Sequence, residues 1–347
     1  AGNLLTGLAQ VPFRTPWRGP GNVVANVGQA VTRQVIRSFM GYSTGLPIDE
    51  FRSVEKVLDD ICRFAMGPVV ELLNDVELTE DSVAGVPGIW CRARSSSGTY
   101  VSEPHRRDPI GATILYLPGG GYIGTTPMMY AAFVASLVRV TGAEVFVADY
   151  RKAPEFPFPA GVHDAAKVYR GLLSRGATAD HLVVAGDSGG GGLTVSLMSY
   201  LQEQGEEMPA ALALFSPQID LVLDYPSITE NAPLDVLPWN IPVSAYLQGV
   251  SPDDARVSLV RSDTHPAWFP PTLVSWGADE MFRDGIREFV GRLGSAGVDV
   301  TAIEEAGMFH VYPILMPWAD ASERTYRQLR EFTDRFVDPD PAAAQTH

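Results

Sequence analysis

From residue 112 onward, strand-sized apolar and β-branched runs alternate with helix-sized segments, and this alternation constrains the fold more tightly than any other feature of the chain. Runs at 112–117, 144–149, 181–186, 210–216, 272–276 and 298–304 read as strands, with helices at 127–140, 160–175, 188–204, 284–296 and 319–336. Several of the runs are apolar at nearly every position, as a strand buried on both faces requires. The expected class is therefore α/β, a mostly parallel sheet with crossover helices on both faces. Upstream, 75–78 and 88–94 read as two antiparallel edge strands followed by a polar loop at 95–108. Within the helix at 284–296, Asp284 reads as the N-cap.

Two segments break the alternation. The first reads as helical: Val23, Val27, Val31, Val35 and Phe39 recur every four residues, an apolar stripe on a helix over 22–40 that is expected to pack over the core rather than on lipid. The second, 218–269, is Pro-rich and without strand patterning, and insertions of such length in sheet proteins often act as lids. The expected division is an N-terminal helical cap segment at 1–70, a core at 71–217 and 270–337, a cap insertion at 218–269 and a flexible tail at 338–347.

Composition narrows the function classes. With 347 residues, 46% hydrophobic and 19% charged, the chain can bury a substantial core. Its formal charge of −15, from 41 acidic and 26 basic residues, repels phosphate backbones and anionic lipid, so nucleic acid is not an expected partner. Cys62 and Cys91 lack metal-ligand spacing and are expected to be reduced thiols; neither a metal nor a cofactor is expected. No apolar run approaches the roughly 18 to 20 residues of a membrane span, so no transmembrane segment is expected and the reading is a soluble protein. The chain begins at Ala1 without a recognisable leader; the cytoplasm is the expected compartment, with secretion or envelope association, a removed signal and a homodimer left open.

The strongest chemical signal is Gly186-Asp187-Ser188-Gly189-Gly190, which joins a buried strand directly to a helix. Such a Gly-x-Ser-x-Gly turn thrusts the serine Oγ outward, while its glycines remove side chains that would collide. The Gly189 N–H and the helix N-terminus face any negative charge that forms there. A dinucleotide-binding loop would need Gly-x-Gly-x-x-Gly, a spacing that 186–191 does not supply. At the end of the 112–117 strand, Pro118-Gly119-Gly120-Gly121-Tyr122 brings three glycines whose N–H groups can converge with that of Gly189 if the two strands are neighbours.

A serine nucleophile needs a base, and the base needs an acid to orient it. Of six histidines, His310 follows the last strand and precedes the last helix, on the sheet edge that holds Ser188. After the strand at 272–276 comes Gly277-Ala278-Asp279-Glu280, and Asp279 is the preferred acid, with Glu280 and Asp284 as alternatives.

Together these residues resemble the hormone-sensitive-lipase-like esterases of the α/β-hydrolase family. The resemblance covers roughly 70–336 and rests on 119–122, on Asp149-Tyr150-Arg151-Lys152-Ala153-Pro154-Glu155, on 186–191, on Ser216-Pro217-Gln218-Ile219-Asp220, on the Asp279 loop and on His310. It implies the α/β-hydrolase fold, with an eight-stranded, mostly parallel core and a helical cap, and oxyanion donors at Gly120, Gly121 and Gly189. Pro118 stands where such enzymes usually carry His, and Gly189 where Ala is usual. The expected function is hydrolysis of short to medium acyl esters of small molecules through an acyl-enzyme. Acyl transfer, or amide or lactone hydrolysis, by the same triad is the alternative, and a non-catalytic small-molecule receptor is a remoter one. Aromatic and Met residues of the two cap segments, among them Phe13, Trp17, Phe39, Met40, Trp268 and Phe269, suggest an apolar pocket, with Tyr122, Asp187, Trp239, Tyr246 and Phe309 as its expected lining.

Overall fold

The structure, a computed structural model, describes residues 23–94, 111–238, 241, 243–263 and 265–337. It begins with helices α1 (Val23–Ser43) and α2 (Ile48–Ile61); a π-helical turn at Cys62–Met66 then leads into α3 (Gly67–Asn74). Strands β1 (Val76–Val83) and β2 (Val86–Ala93) form a hairpin that turns at Ala84 and Gly85, both at positive φ (49° and 83°). There follow β3 (Thr113–Leu117), α4 (Ala131–Thr141), β4 (Glu144–Ala148), α5 (Ala160–Ser174), β5 (Leu182–Asp187), α6 (Ser188–Gln204) and β6 (Ala211–Phe215). The segment 218–269 contributes only short helices, among them α7 (Pro226–Glu230) and α8 (Val243–Leu247), and no strand among its described residues. The chain then returns to the sheet with β7 (Thr272–Gly277), α9 (Arg283–Ser295), β8 (Val300–Glu305), α10 (Tyr312–Leu315) and α11 (Asp320–Phe336).

The eight strands pair in the order β1-β2-β4-β3-β5-β6-β7-β8, antiparallel at β1/β2 and β2/β4 and parallel from there on. Alternate residues of each central strand feed opposite cores: Leu115 and Leu117 pack with α5, α6 and α9, whereas Ile114 and Tyr116 pack with α4 and α11. From β3 the chain steps outward to β4 and then crosses back to β5 on β3's other side, so the winding direction reverses between β3 and β5. At such a switch point the loops leaving the two C-terminal strand ends part in opposite directions and open a crevice. The register sets Leu117 beside Gly186, which brings the triple-glycine loop and Ser188 to that crevice together.

Three expectations are corrected. β1 and β2 extend through 79–83 and 86–87, and β2 lies between β1 and β4 rather than at an edge. The polar Thr79-Glu80-Asp81-Ser82 stretch hides the strand from hydrophobic patterning, because an outermost strand can leave such side chains half in water. On α1, Val35 and Phe39 of the stripe are exposed, while Gln29, Arg33 and Ser43 are buried. That polar face docks on the insertion and on the loop after β8: Gln29 donates to the Gly307 carbonyl, Arg37 to those of Ala232 and Asp235, and Arg33 lies over the Phe309 ring. Nor is Asp284 an N-cap, since α9 starts at Arg283. Instead Ser227 of the insertion exchanges hydrogen bonds with it, the Asp284 N–H donating to Ser227 Oγ at 3.1 Å and the Ser227 N–H to Asp284 Oδ2 at 3.0 Å.

Among the described residues no helix is long and apolar enough to cross a membrane. Cys62 and Cys91 are free thiols. The residues 1–22 and 338–347, including Phe13, Trp17 and the expected flexible tail, lie outside the described ones.

Candidate active site

β5 passes into α6 with no intervening loop, and Ser188 takes a φ of 50°, a conformation that costs a residue with a side chain of order 1–3 kcal/mol. The turn is tight enough to require its glycines. A Cβ on Gly186 would lie 2.6 Å from the Gly190 carbonyl oxygen, and one on Gly190 would lie 2.0 Å from that of Leu117. The Gln218 N–H donates to the Ser188 carbonyl at 2.8 Å, tying the serine turn to the end of β6.

His310 Nε2 stands 2.8 Å from Ser188 Oγ. The carboxylate that faces the other ring nitrogen belongs to Glu280, with Oε1 3.6 Å from Nδ1, and neither of these two atoms has another hydrogen-bond partner. Glu280, the alternative in the sequence, takes this place, and the preferred Asp279 does not. Glu280 Oε2 accepts the Gly277 N–H at 2.9 Å and Ser216 Oγ–H at 2.6 Å, so the side chain folds back across the strand end and aims Oε1 at the imidazole. Asp279 is held by its own N–H, which donates to the Met308 carbonyl. Burial acts to lower the His310 pKa, but the facing Glu280 carboxylate, helped by Asp235 and Asp187, outweighs it and holds the imidazole above its usual value. Burial pushes Glu280 up, opposed by His310 and the Ser216 hydroxyl.

Asp235, in the Pro-rich insertion, is a functional candidate that sequence reasoning missed. Fully buried, it accepts the N–H groups of His310 (2.9 Å) and Val236 (2.7 Å) on Oδ1 and that of Met281 (2.7 Å) on Oδ2. One carboxylate thus clamps the backbone at His310 and beside Glu280.

The loop after β3 places Gly120 and Gly121 at φ of 114° and 61°. A Cβ on Gly120 would meet the Gly124 carbonyl oxygen at 2.3 Å, so only glycine fits there. Gly121 lies against Gly189: a Cβ at 189 would be 3.0 Å from the Tyr122 nitrogen and 3.3 Å from that of Gly121, a tight contact. Without a His before the glycines, the loop is anchored from below. Tyr150 donates to the Pro118 carbonyl at 2.6 Å, the Gly119 N–H donates to Asp187 Oδ1 at 2.9 Å, and Tyr116 and Tyr130 add hydroxyl bonds of 2.7 and 2.9 Å to the same carboxylate. Asp187 borders the cavity, yet its carboxylate serves the loop. We expect Asp187→Ala to lower kcat by about 10²-fold, the scale of losing one oxyanion donor, with KM for a short acyl ester changed far less; an unaltered kcat would show that the loop keeps its shape without this anchor.

A cavity of about 220 Å³ adjoins Ser188 and His310. Its walls come from α1 (Phe39 and Met40), from α2 (Phe51 and Leu58) and from the insertion (Leu237 and Ile241). Other expected lining residues do not border it. Tyr122 and Tyr246 stack on each other at 3.9 Å between ring centres, Phe309 is fully buried under Arg33, and Trp268 and Phe269 pack on one another. Trp239 lies outside the described residues. The missed wall on α2 had a readable signal in Phe51, Val54 and Leu58 at three- and four-residue spacing. Among the described residues no group of three or more His, Cys, Asp or Glu could hold a metal ion.

A family profile described as an alpha/beta hydrolase fold matches residues 114–314. An acetyl-hydrolase of Streptomyces hygroscopicus is 35% identical over 214 residues, which span 60% of this chain and 70% of that protein. An esterase of Acinetobacter venetianus is 28% identical over 286 residues, 81% of this chain and 88% of its own. The crystal structure of an esterase from the bacterial hormone-sensitive lipase family superposes with a TM-score of 0.70 at 28% identity, covering 88% of this chain and 98% of that one.

Proposed function

The chain belongs to the hormone-sensitive-lipase-like esterases of the α/β-hydrolase family, and on that premise we propose that Ser188 is the nucleophile of a carboxylic-ester hydrolase, His310 its base and Glu280 the acid. His310 takes the Ser188 proton as Oγ attacks the ester carbonyl, and the N–H groups of Gly120, Gly121 and Gly189 receive the negative charge that forms on the carbonyl oxygen. Protonated His310 then gives its proton to the departing alcohol, and water enters by the same steps in reverse to release the acid. Glu280 keeps the imidazole proton on Nδ1 and stabilises the cation formed in each step. The observation that carries this reading is the 2.8 Å contact between Nε2 and Oγ, backed by a buried carboxylate and opening on an apolar cavity.

The cavity, at about 220 Å³, falls below the roughly 300 Å³ at which pockets for drug-sized ligands begin, and it suits short to medium acyl chains. A fluorophosphonate should label wild-type protein at Ser188 alone. Across p-nitrophenyl esters from acetyl to palmitoyl, kcat/KM should peak at short to medium chains. Labelling elsewhere would refute the nucleophile, and a palmitoyl optimum would refute the chain-length assignment.

A further inference from the structure

Most polar side chains that border the cavity are already engaged. Ser43 and Thr44 donate to carbonyls one turn back on α1, Thr125 donates to the Gly119 carbonyl, and Tyr130 donates to Asp187. Gln218 differs: it is 1% exposed, it borders the cavity beside Ser188, and neither end of its amide has a hydrogen-bond partner. Its backbone is tied on both sides. The N–H holds the Ser188 carbonyl at 2.8 Å, and the carbonyl accepts the Tyr122 hydroxyl at 3.1 Å. Glu55 on α2 supplies a second unmet group on the same cavity, since Oε2 takes Arg52 at 3.0 Å while Oε1 has no partner. Buried polar atoms are almost always paired, with protein, water or a ligand, and these two groups on the cavity are placed to pair with a substrate.

Building on the esterase reading above, we infer that Gln218 determines specificity: its amide recognises a group of the substrate that both donates and accepts hydrogen bonds, a hydroxyl or an amide near the scissile ester, while Glu55 Oε1 accepts a second donor. The substrate class is then a hydroxy- or amide-bearing ester rather than a plain alkyl ester. A pocket built to pair such a group discriminates against the analogue that lacks it, because binding the analogue leaves the amide buried and unpaired.

The test compares kcat/KM for size-matched pairs: p-nitrophenyl 3-hydroxybutanoate against 3-methylbutanoate for the acyl side, and 2-hydroxyethyl against propyl butanoate for the alcohol side. Wild type should prefer the hydroxyl-bearing member of at least one pair by about tenfold, the worth of one good hydrogen bond. Gln218→Leu and Gln218→Met should abolish that preference, and Glu55→Gln should reduce it. Because an unpaired buried amide stabilises nothing, Gln218→Leu should also melt no lower than wild type. A wild type that favours the apolar member of both pairs, a ratio unmoved by Gln218→Leu, or a lower melting temperature with both members of each pair losing activity in parallel would overturn the inference. Failure of the underlying esterase reading looks different: wild type would hydrolyse none of these esters and Ser188 would escape fluorophosphonate labelling.

Discussion

Ser188→Ala is expected to lower kcat on p-nitrophenyl butanoate by about 10⁶-fold, the loss seen when a triad nucleophile is removed. Oγ is the atom that forms the bond to the acyl group, and it is the one His310 Nε2 faces at 2.8 Å; without it the imidazole has nothing to deprotonate. A residual rate of about 10³ over water should survive, because the backbone donors and the cavity still hold the ester. The fold should tolerate the change, since Ala at a φ of 50° meets the same steric cost as Ser. Ser188→Gly should instead melt higher, by relieving that cost. Turnover is measured on enzyme titrated with fluorophosphonate, which excludes traces of wild type. A variant within tenfold of wild type would mean that another residue attacks the ester.

What could be read from residues alone follows burial. β3, β5 and β7 are covered on both faces, so they appear as mostly apolar runs; the serine turn is legible because a Cβ at Gly186 or Gly190 would fall 2.6 or 2.0 Å from a carbonyl oxygen, which requires glycine there. β1 shows no such pattern, since polar residues are tolerated on an outermost strand. The choice of acid was illegible for another reason. Asp279 and Glu280 sit at the same sheet edge, and only the fold-back of Glu280 Oε2 onto the Gly277 N–H decides which carboxylate turns to the base. Asp235 is harder still, because its value lies in three backbone N–H groups brought to it from 236, 281 and 310. In the cavity, aromatic character misleads: a buried ring is equally at home in the core, as the stacked Tyr122 and Tyr246 are.

Glu280→Gln is expected to lower kcat by about 10⁴-fold, while Asp279→Asn should leave it within a few-fold of wild type. Gln keeps the shape, and its carbonyl can still accept Ser216 and the Gly277 N–H, so the loss reports on charge rather than on folding. Its NH₂ would then face Nδ1, favour the tautomer with the proton on Nε2, and leave that nitrogen unable to accept from Ser188. The pH profile gives an independent reading. Only neutral His310 can act as base, and with its pKa held above the usual value of about 6.5, the acid limb of kcat/KM should lie above that pH in wild type. Glu280→Gln removes the main influence raising it and leaves burial, which favours the neutral ring, so the limb should move to lower pH even as the plateau falls. The two signs together are hard to imitate, because a merely loosened site lowers the plateau without moving the limb in that direction. If Asp279→Asn carried the 10⁴-fold loss and the shift instead, the acid would be Asp279 and the placement of Glu280 against Nδ1 would not describe the working enzyme.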